Sequence, residues 1–179
     1  MLITEGLTGL SLRRLASRLG VTAPALYAHV RDKRDLLQAI ADVELEGLID
    51  RFHEAGEDTE PLECIRRRAL AYVAYAQQNP QLFCALFLLQ PELTSEPWEG
   101  QRPLASKAIE VAGEPVHRAV SNGQLRSIDP QLAAATVWAV MQGVAALLVT
   151  GPPLPRDVAD RLAVTAIDAA LAGLGATTG

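Results

Sequence analysis

Apolar residues in this chain recur at three- and four-residue intervals in long blocks, and no block alternates apolar and polar positions over the length of a strand. In the first block Leu12, Leu15, Ala16 and Leu19 share one face, while Arg13, Arg14 and Arg18 point elsewhere. Ser11 is placed to cap this helix and Gly20 to stop it in a left-handed conformation. Thr22 is the expected cap of a second short helix, which tolerates Pro24 in its first turn because the missing amide has no helical partner there. Leu26 and Val30 face inward from it. Asp32 then caps a third helix through Leu36, Leu37, Ile40, Val43 and Leu48 toward Glu54.

The same punctuation divides the remainder. A polar loop from Ala55 to Glu60 precedes a helix from Pro61 to about Gln78, and Asn79-Pro80 opens another toward Gln90. Residues 90–103 hold three prolines and form the longest irregular connection. A helix from Leu104 to Ser121 ends at Asn122-Gly123. Asp129-Pro130 begins a long helix that Gly151-Pro152-Pro153 breaks, and Pro155 begins the last, which fades near Gly173. The expectation is an all-α protein of about eight helices.

Composition narrows the class. Apolar residues make up 49% of the 179 and aromatics only 4%, so the chain folds around a core rich in Ala and Leu. Cys64 and Cys84 form no metal-spaced pair and are expected as buried reduced thiols. No charge falls between Pro130 and Pro155. Polar Gln131, Thr136, Gln142 and Thr150 within that run favour a helix buried on several sides over a membrane span. A soluble, cytoplasmic protein with no membrane partner is the expectation.

The net charge of −5 divides unevenly. Six cations against one anion between Leu10 and Arg34 leave +5 there and −10 over the rest, a basic head on an acidic body. Two short helices joined by a tight Gly-containing turn, the first basic and the second small and polar outside, suit a reader of the DNA major groove. Ala23, Pro24, Ala25, Tyr27, Ala28 and His29 make that outer face. Tyr27, His29 and Lys33 supply phosphate donors at its flanks.

Leu12-x-x-Leu15-Ala16, Leu19-Gly20-Val21, Leu26-Tyr27-Ala28-His29-Val30, Lys33 and Leu36-Leu37 together resemble the tetracycline-repressor family of regulators. The resemblance implies a homeodomain-like helix-turn-helix domain over 1–48 and a ligand-binding and dimerisation domain over 49–179. It implies that Arg13 reaches a base or phosphate, that Thr22, Ala23, Pro24, Ala25 and Ala28 line the base-reading face, and that Tyr27, His29 and Lys33 clamp phosphates. The family has a further helix ahead of this motif. Here Met1 to Glu5 stand for its final turn, which suggests a gene product that begins upstream or a chain that was cut. More weakly, Arg68-x-x-x-Tyr72, Ala76-x-x-Asn79-Pro80, Phe83, Phe87, Trp138 and Gly143 resemble a regulatory domain named for a Trp-His-Gly signature, with Gln142 in place of its His.

An effector pocket for an apolar small molecule is expected among Tyr72, Tyr75, Phe83, Phe87, Trp98, His117, Trp138, Met141 and Gln142, although for each residue taken singly core packing is the stronger reading. The Ala-rich last two helices are expected to pair with their symmetry mates in a homodimer. Its two heads would bind a palindromic double-stranded operator. Catalysis, metals and cofactors are not expected: the chain has three His and none of the HExxH, GxSxG, P-loop or dinucleotide patterns. A helical interaction module that has lost DNA binding is the alternative.

Overall fold

The computed structural model describes residues 1, 5, 9–56, 59–88, 103–126 and 128–175. Eight α-helices and no strand lie among them: α1 Leu12–Leu19, α2 Ala23–Tyr27, α3 Lys33–Gly56, α4 Pro61–Gln78, α5 Pro80–Phe83, α6 Pro103–Ser121, α7 Pro130–Thr150 and α8 Arg156–Leu174. A π-helical turn over Cys84–Leu88 continues α5. Ahead of α1, Glu5 and Gly9 are also helical, so helical backbone reaches further than the Met1–Glu5 turn expected from the sequence.

Most boundaries follow from local hydrogen bonding. Gly20 has φ of 68°, and the N–H groups of Gly20 and Val21 return to the carbonyls of Ser17 and Ala16. That pattern closes α1 with carbonyls that would otherwise be unpaired. Thr22 Oγ1 accepts the Ala25 N–H at 3.3 Å, and Asp32 Oδ1 accepts the Asp35 N–H at 2.8 Å. Asp129 does the same for Gln131 at the start of α7. Ser11 is the exception. It stands at the start of α1 in extended conformation, but its side chain makes no capping bond.

The body is organised around α4, which packs against α3, α6, α7 and α8. One core joins Phe52 of α3, Ile65 and Tyr72 of α4, Phe83, Val116 of α6, Met141 of α7 and Ile167 of α8. A smaller cluster of Leu10, Leu37 and Ala85, flanked by Leu36, Ile40 and Leu82, ties the head to α5 and its π-helical turn. Cys64 is buried and Cys84 only half-buried; both are free thiols, and burial raises the Cys84 thiol pKa.

At 24 residues, α3 spans about 36 Å and runs without a break from the head into the body. The boundary expected between 48 and 49 falls inside it. Leu19, read as part of the inward face, is 60% exposed. It is the last residue of α1, and the turn at Gly20 carries the chain away before a partner covers it. The long uncharged helix α7 is long and apolar enough to cross a membrane by length and composition. It packs instead against α4, α6 and α8, with Ala133, Val137, Met141, Val144 and Ala145 buried. Leu132 and Leu147 stay outside at 56% and 40% exposure, so the burial expected on several sides is met on one broad face of the single chain.

Phe52 is fully buried where α3 meets α4. Phe52→Ala is expected to lower stability by about 3–5 kcal/mol through lost burial and the cavity left behind. Urea unfolding followed by circular dichroism measures it.

Candidate nucleic-acid interface and a chamber in the body

The head carries its cations in two states. Glu5 bridges Arg14 at 2.7 Å and Arg18 at 2.6 Å, and Arg14 also donates to the Gly9 carbonyl. Two of the three arginines on α1 are thus drawn toward the preceding turn. Arg13 faces solvent. At the start of α3 the Arg31 guanidinium and backbone N–H both donate to Asp35. Those bonds hold the Asp35 carboxyl below the usual carboxylate range.

The residues expected to meet DNA fall on one exposed unit. Thr22, Pro24, Ala25, Ala28 and His29 are exposed, Tyr27 is 48% exposed, and Ala23 and Lys33 are half-buried. No α2 residue is buried. On the inner side Leu12, Ala16 and Val30 are buried, with Leu15 and Leu26 half-buried. The packed side is therefore apolar. The open side is made of small side chains with an aromatic hydroxyl, an imidazole and cations at its edges. A surface of that kind lets a helix approach base edges closely while the flanks hold phosphates.

The body holds a chamber of about 570 Å³ between α4, α6 and α7. Ile65, Arg68 and Ala69 contribute from α4, Ile109, Glu110, Ala112, Gly113 and His117 from α6, and Ala134, Ala135, Val137, Trp138 and Met141 from α7. Of the residues expected around a ligand, His117, Trp138 and Met141 are on its wall. The other described ones are not. Tyr72, Phe83 and Phe87 form an edge-on and stacked aromatic cluster with centroids 5.6–6.3 Å apart, and Tyr75 meets Phe87 at 6.1 Å. Tyr72 donates its hydroxyl to Gln142, and Gln142 reaches the Phe87 carbonyl at 3.5 Å. Tyr75 donates to Glu44 of α3 at 2.8 Å. Burial raises the pKa of both tyrosines, and for Tyr75 the carboxylate it bonds adds to the shift. These side chains satisfy one another in the core. Trp98 lies outside the described residues.

Sequence reasoning missed Arg68 as a wall residue. It lies at helical spacing among Cys64, Ile65, Ala69 and Tyr72, all buried, and a charge on such a stripe was the signal available. Arg68 is itself 5% exposed. Its Nε donates to the Phe52 carbonyl of α3 at 3.0 Å and its Nη1 to the Val111 carbonyl of α6. Pro115 explains the second acceptor: it lacks the amide that would bond Val111 four residues back, so that carbonyl is left open. Glu114 stands 3.4 Å from Nη1. A second pocket of about 380 Å³ shares Arg68 and Glu110 and adds Val111 and the side chains of His53, Lys107, Glu114 and Arg118.

Comparison with known proteins adds two regions. Residues 1–40 match the model of bacterial regulatory proteins of the tetR family, and residues 65–170 match that of the tetracyclin repressor-like C-terminal domain. The latter does not bear the Trp-His-Gly name expected from Trp138 and Gly143. An uncharacterised helix-turn-helix transcriptional regulator of Mycobacterium tuberculosis is 28% identical over 147 residues, covering 82% of this chain and 64% of that protein. The class C tetracycline repressor of Escherichia coli is 43% identical over 72 residues, 36% of this chain and 32% of its own length. The chain thus spans less than two thirds of these relatives. The solved structure of PfmR, a TetR family transcriptional regulator from Thermus thermophilus, aligns with a TM-score of 0.71 at 26% identity, covering 96% of this chain and 93% of that one. A Rhodococcus protein of unknown function aligns at 0.77 with 24% identity, over 97% and 89% of the two chains, a likeness of fold.

The Arg31–Asp35 bonds give a test within the head. The stabilisation they confer is complete above the ordinary carboxylate pKa, near 3.9, and is lost as pH falls through the lower folded value. An NMR titration of the Asp35 carboxyl is expected to show a midpoint below that ordinary value. Arg31→Ala is expected to bring the midpoint up toward it.

Proposed function

We propose, because this chain belongs to the tetR family of bacterial regulatory proteins, that it is a cytoplasmic, non-enzymatic transcriptional regulator whose head binds double-stranded DNA. In this reading Arg13 and the exposed face of α2 (Ala23, Pro24, Ala25 and Ala28, with Thr22 at its cap) approach bases, while Tyr27, His29 and Lys33 hold phosphates. The observation that carries it is the coincidence of the basic charge with the exposed small-residue surface of α1 and α2. The Ala side chains have no hydrogen-bonding group and offer thymine methyl contacts at most. Affinity therefore rests chiefly on phosphates.

The chain acts as a two-fold dimer built from α7 and α8. Along α7 the exposed positions Ala139, Gly143 and Leu147 recur every fourth residue. Leu132 begins the same open side, and Val158 and Val164 of α8 are 43% and 40% exposed. Small residues at this spacing let helices approach closely, and a two-fold pairing of both helices makes a four-helix interface. The two regions divide near 48/49, and α3 links them as one rod. An apolar effector in the chamber then acts by favouring one separation of the two heads over another, to the extent that its affinity for the two arrangements differs. Repression released by that effector is the simplest regulatory outcome.

Two measurements test this reading. A selected palindromic duplex is expected to bind with an affinity that falls steeply with salt, since each phosphate contact releases counterions. Arg13→Ala and Tyr27→Ala should each weaken binding, about three- to thirty-fold, and Lys33→Ala should reduce the salt slope by about one unit. Unchanged affinity in all three refutes the contact map. Separately, Leu147→Asp is expected to shift the chain from dimer to monomer in analytical ultracentrifugation, with its helical content intact.

A further inference from the structure

The chamber wall is apolar except for a few polar groups, and only one of its charges is buried. We propose that the chamber takes an amphipathic monoanion, a small aliphatic or aromatic body ending in a carboxylate, and that the carboxylate docks on Arg68. The proposal rests on the reading of the chamber as an effector site and adds a charged head to the apolar body of that effector.

Arg68 is the buried charge on the chamber wall. Its side chain is 6% exposed. A guanidinium so far from water needs a close anion, or full hydrogen bonding, to offset its desolvation. What it has is two neutral carbonyls, Phe52 and Val111, and Glu114 at 3.4 Å. Glu114 is 47% exposed and gives its other oxygen to Arg118 at 2.7 Å. No carboxylate among the described residues therefore meets Arg68 in the paired geometry that a guanidinium favours. The electrostatic demand of Arg68 is met by dipoles and by a shared, half-solvated anion.

Arg68 is on the wall of both the apolar chamber and the pocket beside it, the residue common to the two with Glu110. Ile65, Ala69, Val137 and Met141 offer the apolar body a surface, and the volume lies within the range of small-molecule sites. Glu110 is the opposing charge on the wall. It is exposed, so solvent screens it, and a cationic ligand gains less there than an anion gains at the buried Arg68. In the second pocket Lys107 and Arg118 stand with Arg68 against Glu110 and Glu114, so three cations face two carboxylates and an anionic head is admitted there.

Three probes of matched tail distinguish the head groups: decanoate, decanol and decylammonium, titrated calorimetrically into the full chain without DNA. Decanoate is expected to bind at least ten-fold more tightly than decanol, and decylammonium more weakly than either. Equal or tighter binding of decanol or decylammonium overturns the proposal, as does the absence of binding by all three up to their solubility. Glu114→Gln, a change at a half-exposed position, removes the anion that competes for Arg68. It is expected to tighten decanoate several-fold and leave decanol unchanged, whereas unchanged or weaker decanoate binding contradicts the assignment. Arg68→Gln should erase the preference for decanoate; if that variant does not fold, Glu114→Gln carries the test. Because the titrations use DNA-free protein, a chain that prefers decanoate but ignores duplex DNA refutes the regulator and leaves the ligand chemistry standing. The opposite result refutes only the ligand chemistry.

Discussion

A single buried arginine sets how the helices of the body sit together. Arg68 extends from α4 to a carbonyl of α3 on one side and to a carbonyl of α6 on the other, the latter left open by Pro115. Buried charge of this kind is fixed by its partners, since moving any of them strips hydrogen bonds from a group only 5% exposed. The consequence is mechanical. The chamber wall on α6 and the rod α3, which starts in the head at Lys33, are tied to one side chain. In the proposed regulator a ligand that engaged Arg68 would bear on the Phe52 carbonyl and, through it, on the seating of α3.

Much of the fold is legible in the chain because its helix ends are marked by residues with few alternatives. Gly20 takes positive φ, Thr22, Asp32 and Asp129 accept amides two or three residues on, and Pro61, Pro80 and Pro130 open helices where a missing amide does no harm. Ser11 shows the limit of that reasoning: the residue type is right and the position is right, but its side chain makes no cap. The exposed surface of the head follows from the inward face of α1 and α2, so every contact residue read there lies on the open side or at its edge. Leu19 does not obey the periodicity because it falls where the helix ends.

The chamber is harder to read, for a physical reason. Aromatic residues suggest themselves as its lining because they recognise apolar ligands, yet Tyr72, Phe83 and Phe87 gain more by packing on one another with Gln142 closing the polar end. Open volume arises instead where side chains are small. Ala69, Ala112, Gly113, Ala134 and Ala135 face one another across α4, α6 and α7 and leave the space. Ala and Gly carry no chemical signature in a sequence, so a cavity made by their smallness emerges only from the packing of three helices.

Charge and shape assign separate tasks along the proposed regulator. The head is basic and exposes small residues, the body is acidic, and the apolar stripes of α7 and α8 lie at the end of the chain remote in sequence from the head. In the proposed regulator the acidic body would repel duplex DNA and direct it to the head, and the proposed pairing through α7 and α8 would fix the spacing of two heads. Selection of bound sites from random duplex DNA tests this arrangement most directly. The account predicts an inverted repeat whose half-site centres lie about ten base pairs, or a multiple of that, apart. Recovery of no enriched sequence, or of a single site without two-fold symmetry, would contradict it.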